Sequence, residues 1–150
     1  MAIFRDTPYT GMNFSVDIGT GDPESADGAI FEVVFPESQI QVIEYRDGND
    51  KANDIRKILA GTRYENLCLI RGVRGSLTWY NWWNSARNGD QSAVRTIAVK
   101  LLNEDRTAVV LEWKFLGARP VNHQFSRLSA ICEENFSESL EIAFERLEMQ

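Results

Sequence analysis

Alternation of apolar and polar side chains at every second position runs through most of this sequence. It commits the chain to strands that each bury one face. Phe14, Val16 and Ile18 alternate with Ser15 and Asp17, and Leu67, Leu69 and Arg71 alternate with Cys68 and Ile70. Ile40, Val42 and Glu44 alternate with Gln41, Ile43 and Tyr45, giving a strand up to Arg46. Residues 29–35 are rich in β-branched and aromatic side chains, and Pro36 marks where that strand ends or bends. Leu140, Ile142 and Phe144 alternate with Glu141, Ala143 and Glu145 in a last strand. Residues 96–102 and 107–115 read as a hairpin. A three-residue loop, 104–106, pairs Leu101 with Val109, Val99 with Leu111 and Ile97 with Trp113. Its other face sets Ala98 against Glu112 and Lys100 against Val110. Helical spacing occurs once: Ser76 is a good N-cap, Trp79, Trp82, Trp83 and Ala86 form one stripe, and Asn88-Gly89 supplies a left-handed stop. Thr78, Asn81, Asn84 and Ser85 form the opposite, polar face. The expected fold is mainly β: a β-barrel or sandwich of six or seven strands with one flanking α-helix.

At 150 residues, one domain spanning 1–150 is expected, and such a chain buries roughly 68–70% of its unfolded surface. Its 16 basic and 22 acidic side chains leave a net charge of −6, which argues against a surface built to hold nucleic-acid phosphates. Two cysteines, Cys68 and Cys132, are too few for a disulfide-stapled secreted module. Each is expected to act as a small buried hydrophobe, in a reducing compartment. Neither a signal peptide nor an apolar run long enough to span a membrane is seen, so a soluble product without membrane anchoring is expected. Residues 19–28 read as a turn-rich loop. Residues 47–63 read as a long loop charged with both signs, in which 54–60 is too short for a helix and Gly61 closes the segment. A loop of that length in a compact fold is usually functional. Gly117-Ala118-Arg119-Pro120 reads as a chain break or strand corner.

Catalytic patterns are scarce. His123 is the one histidine, with no cysteine or carboxylate at ligand spacing around it, so neither a metal site nor a catalytic triad is expected. No phosphate-binding glycine loop, nucleophile elbow or dinucleotide fingerprint occurs. Glu133-Glu134 reads as a solvated pair, and the tryptophans read as core. No catalytic residue, cofactor or enzymatic activity is expected. Glu138, Glu141, Glu145 and Glu148, balanced only by Arg146, suggest a last strand acidic on one side. A chain of amphipathic strands must blunt its sheet edges or use them. Two readings remain open on the residues alone: a self-assembling structural part, or a monomeric ligand-binding β-barrel whose helix stripe and Trp113 line a closed cavity.

Several motifs in order resemble one family. They are Ile43-Glu44-Tyr45-Arg46-Asp47-Gly48, the charged segment ending Leu59-Ala60-Gly61, Tyr64-Glu65-Asn66-Leu67-Cys68-Leu69-Ile70-Arg71-Gly72, and Leu77 and Trp79 with Trp82. Trp113-Lys114-Phe115 leading to Gly117-Ala118-Arg119-Pro120, and Glu138-Ser139-Leu140-Glu141-Ile142-Ala143, continue the series. Together, over about residues 14–149, they resemble the tail tube proteins of contractile phages and of phage-tail-like contractile injection systems. Ala60-Gly61 departs from the family's usual Pro-Gly, 19–29 is longer than the turn expected there, and 127–135 matches no family pattern. The resemblance implies a subunit that forms hexameric rings stacked into a hollow inner tube within a contractile sheath. The tube would be driven through a target envelope, with DNA or protein cargo in its lumen. Partners would be further copies of the chain, the sheath protein and baseplate or spike proteins. Assembly would occur in the bacterial cytoplasm. It also implies that Tyr45, Arg46, Asp47, Gly48, Asp50, Lys51, Arg56, Lys57, Arg71 and Gly72 lie at contacts between subunits or rings. Six copies at −6 each would carry roughly −36 per ring, repelling phosphates within a Debye length of about 8–10 Å.

Overall fold

The computed structural model describes residues 2–19, 30–49, 51 and 53–150. Among these residues the chain forms β1 (Phe14–Asp17), β2 (Ile30–Val34), β3 (Ser38–Tyr45), β4 (Arg56–Tyr64) and β5 (Leu67–Gly72). The helix α1 (Thr78–Arg87) follows, then β6 (Arg95–Leu102), β7 (Val109–Phe125), β8 (Ser137–Ala143) and β9 (Arg146–Met149). All pairings are antiparallel, in the order β1-β6-β7-β8-β5-β2, with β9 also on β7. Among the described residues β3 and β4 pair only with each other. The mainly-β expectation with one flanking helix is what the chain forms, with nine strands among the described residues instead of six or seven, β4 and β9 being the additions.

The long strand β7 explains how a seven-stranded sheet encloses a core. Its residues 113–116 pair with β9, while 119–125 pair with β8. Between them Gly117 takes φ +66°, and the neighbouring chain bends in step, with Glu145 N–H bonded to the Leu116 carbonyl at 2.8 Å. A Cβ at Gly117 would lie 2.9 Å from the Glu145 side chain, so both conformation and space demand glycine there. The corner expected at Gly117–Pro120 is therefore a bend inside one continuous strand. It folds the two sheet halves onto each other around Leu67, Leu69, Ile97, Val99, Phe115, Leu140 and Ile142, all buried. Trp79 and Trp82 of α1 close this core, and Trp82 Nε1 donates to the Ala93 carbonyl at 2.6 Å.

Four local expectations need correction. The segment 47–63 is not a loop, because β4 occupies most of it. Three residues of β3, from Ile40 to Val42, face four of β4, from Thr62 to Leu59, and the extra residue erases the period-two pattern. The hairpin register also differs. Leu101 faces Leu111, Val99 faces Trp113 and Ile97 faces Phe115, while Lys100 meets Glu112 and Ala98 meets Lys114. The loop is longer than three residues, because the Asn103 side-chain oxygen accepts from the Thr107 and Ala108 N–H groups at 2.8 and 3.2 Å. A two-residue slip keeps every side chain on its predicted face. Ser76 is not the N-cap residue of α1; the helix opens one residue later, after Leu77, while the Ser76 hydroxyl accepts from the Thr78 N–H at 3.4 Å and Arg71 Nη1 holds the Thr78 hydroxyl at 3.3 Å. Finally, the last strand is not acidic on one side, since Glu138 points into the core and is 4% exposed. The chain then bends and adds β9. The expected loop at 19–28 falls, apart from Gly19, outside the described residues.

Candidate assembly interface

β3 and β4 form a two-stranded hairpin that leaves the end of the sheet where β2 finishes and β5 starts, closed at its base by Glu65 N–H to the Glu37 carbonyl at 3.0 Å. Directly opposed residues share a face. One face therefore carries Ile43 with Ile58 and Tyr45 with Arg56, and the other Val42 with Leu59 and Glu44 with Lys57. Every residue of β3 is exposed, and Leu59 is 68% exposed. Both faces are apolar at their centre, and among the described residues neither packs on the core. An isolated two-stranded hairpin is marginal in water. Covering those four aliphatic side chains would contribute on the order of several kcal/mol.

The residues singled out by motif separate into two groups. Tyr45, Arg56 and Lys57 stand at the far end of this hairpin as opposed pairs. Arg46, Asp47, Gly48 and Lys51 belong to its exposed tip, where Arg46 donates to Asn53 Oδ1 at 3.3 Å and Asp47 Oδ1 accepts from Asn49 N–H at 3.3 Å. Asp50 lies outside the described residues. Arg71 is elsewhere: it is 3% exposed, and its Nε donates to Glu138 Oε1 at 2.6 Å. Gly72 ends β5 opposite Ser137, beside Arg71 and away from the hairpin. Sequence reasoning overlooked Val42, Ile43, Ile58 and Leu59 as exposed. Apolar residues on consecutive positions in a charged segment are the signal that would have found them.

The fold also supplies His123 with a carboxylate that its sequence neighbourhood lacks. His123 Nε2 lies 2.8 Å from Glu138 Oε2, with both side chains 5% exposed. Arg71 in turn stacks over Trp79 at 4.3 Å. This buried Arg71–Glu138–His123 chain ties β5, β8 and β7 together and presents no open face to a substrate. Glu133 and Glu134 are exposed, as expected. On the outer face of β5, burial and the nearby Glu141 and Glu32 push the Cys68 thiol up, away from thiolate reactivity. Trp79 and Trp82 are packed solid. Trp113 instead lines a groove of about 300 Å³ with Phe14, Phe31, Phe35 and Val99.

The sheet half β7-β8-β5-β2 leaves two edges unpaired among the described residues: the outer edge of β2 and the edge of β7 beyond Ala118 that faces away from β8. Strand direction alternates across the four. The β2 edge of one copy against the β7 edge of another would therefore be antiparallel, like every other pair. With this geometry stand the comparisons with known proteins: residues 10–148 match the sequence profile of the T4-like virus tail tube protein gp19.

The chain belongs to that tail tube family. It is a structural subunit of an inner tube, a component of a phage tail or tail-like injection particle. No curated protein is a significant match. Among solved structures, a chain of an extracellular contractile injection system, the PVC sheath–tube complex in the extended state, aligns with TM-score 0.81 at 23% identity. That alignment covers 97% of this chain and 93% of the other. A chain of the anti-feeding prophage baseplate aligns with TM-score 0.79 at 20% identity, over 97% of both chains. Hcp1 from Flavobacterium johnsoniae aligns at TM-score 0.51 and 16% identity, covering 91% of this chain and 93% of that one. These likenesses are of fold. No described helix is long and apolar enough to cross a membrane.

Proposed function

We propose that this tail tube subunit closes into hexameric rings by joining the β2 edge of one copy to the β7 edge of the next. The rings stack into a hollow tube through the β3–β4 hairpin. The observation that carries this reading is the hairpin itself, a two-stranded sheet whose central aliphatic side chains, Val42, Ile43, Ile58 and Leu59, stand exposed on both faces. A hairpin of that kind needs two neighbours, one per face, and Tyr45, Arg46, Asp47, Gly48, Asp50, Lys51, Arg56 and Lys57 would surround those contacts. Arg71 and Gly72 would act from behind, fixing the strand that the hairpin leaves. The work is mechanical: a sheath-like partner drives the tube, a baseplate-like partner anchors it, and DNA or protein cargo occupies the lumen. Assembly takes place in the bacterial cytoplasm. No catalytic step is assigned, a reading supported by the engagement of His123 with Glu138 inside the core.

Solution mass by light scattering, with negative-stain images of the same sample, tests the reading. Masses near six times 17.1 kDa, or rings and tubes with a central hole, are expected. A strictly monomeric protein up to high concentration, even when co-produced with a baseplate component, would overturn it. That result would favour the groove beside Trp113 as the site of a monomeric ligand-binding β-barrel.

A further inference from the structure

The loop between β7 and β8 matched no family pattern in the sequence, and the structure gives it a distinctive place. β5 pairs Leu67 with Ile142 at one end and Gly72 with Ser137 at the other. The β3–β4 hairpin leaves from the Leu67 end, so the 126–136 loop projects from the opposite end, about 20 Å away along the strand. The base of this loop is held firmly. Phe125 and Phe136 stack at 5.6 Å, and Ser126 exchanges contacts with Ser137, N–H to carbonyl at 2.9 Å and hydroxyl from Ser137 N–H at 3.0 Å. Above that base two aliphatic side chains stand in solvent: Leu128 is 80% exposed and Ile131 93%. Large aliphatics so bare on an anchored loop mark an interaction surface.

We infer that the 126–136 loop is the seat for the β3–β4 hairpin of a second copy, with Leu128 and Ile131 covering one of the hairpin's apolar faces. This rests on the tube reading above and names the surface that receives the hairpin. The occupant follows from two features. Charge is complementary: the adjacent pair Glu133-Glu134 crowns the loop, and each face of the hairpin offers one basic residue of β4 to it, Arg56 on one face and Lys57 on the other. Position is complementary as well. Two matching surfaces at opposite ends of one subunit make a heterologous contact, which propagates copy onto copy instead of closing a dimer. Edge-to-edge pairing of β2 and β7 would close the ring, and the loop-to-hairpin contact would add the next ring.

The test uses the full-length chain bearing Leu128→Asp and Ile131→Asp, imaged by negative stain and sized by sedimentation beside the unaltered protein. The expected result is loss of stacked tubes while single rings and the melting temperature persist. A variant that stacks like the unaltered protein overturns the inference. So does one that stacks normally but fails to bind sheath protein, because the loop would then serve a different partner. If the unaltered protein forms neither rings nor tubes, the tube reading fails first, and the two failures are told apart. Should the double variant misfold, a charge exchange decides. Glu133→Lys with Glu134→Lys should abolish stacking, and Arg56→Glu with Lys57→Glu on the same chain should restore it. Stacking untouched by the first pair, or not restored by the second, overturns the inference.

Discussion

β5 and the β3–β4 hairpin are built from similar residues and meet opposite fates. In β5 every second side chain is buried: Leu67 and Leu69 are fully enclosed, and Arg71 is neutralised by Glu138. Across β3 and β4 the aliphatic residues occupy both parities, so no rotation of the hairpin buries them all against one core. A strand with one apolar face is completed within its own chain. The hairpin, with two, keeps Val42, Ile43, Ile58 and Leu59 exposed. On the proposed assembly, stability and assembly fall to different parts of the same molecule, and substitutions should separate them.

The largest expected effect lies in the core. Glu138→Ala would leave Arg71 charged and His123 unpartnered beneath the sheet, and should cost about 3–5 kcal/mol in equilibrium urea unfolding. A loss under about 1 kcal/mol would mean that the buried charges are dispensable, and would break the contrast with the hairpin. Gly117→Ala should follow at about 1–3 kcal/mol, since φ +66° and the 2.9 Å approach to Glu145 both oppose a side chain. Thermal melts would register it as a drop, with the loss concentrated in the β7 bend by hydrogen exchange.

The hairpin should respond in the reverse sense. Ile43→Ser with Ile58→Ser is expected to move the stability of the unassembled chain by no more than about 0.5 kcal/mol, while light scattering shows stacked tubes lost and single rings kept. Strong destabilisation of the monomer would show that the hairpin packs at home. The smallest effect is one of pH. Asp90 accepts from Ser92 N–H at 2.9 Å and Ser92 Oγ at 2.8 Å, which holds its carboxyl below the ordinary value of 3.8. The folded form therefore binds that proton less readily than the unfolded one. Its stabilising contribution is complete above pH 3.8 and fades as pH falls through the lower folded value. Asp90→Asn should flatten the acid side of the stability profile and leave the neutral side unchanged.

Much of this architecture could be read before any coordinates. β5, β6 and β8 follow from alternation. The helix follows from the spacing of Trp79, Trp82 and Trp83 and from Gly89, whose φ of +80° ends it. β4 was hidden because the added residue between Leu59 and Thr62 removes the period on which a strand is recognised. β9 was hidden because the bend at Glu145 splits one alternating run into two. The proposed interface residues between Tyr45 and Lys57 were reachable only through motif order. Nothing in their spacing says that they share one projecting hairpin, or that Arg71 turns inward.

The sequence by itself determined which faces are apolar, because side-chain period is a local property of each strand and helix. Tertiary structure alone decided which of those faces remain uncovered. It joined Arg71 to Glu138 across 67 residues and His123 to Glu138 across 15, and it sent the hairpin and the 126–136 loop to opposite ends of the sheet. Those outcomes depend on strand order and direction, and they arise only when distant segments compete for one core.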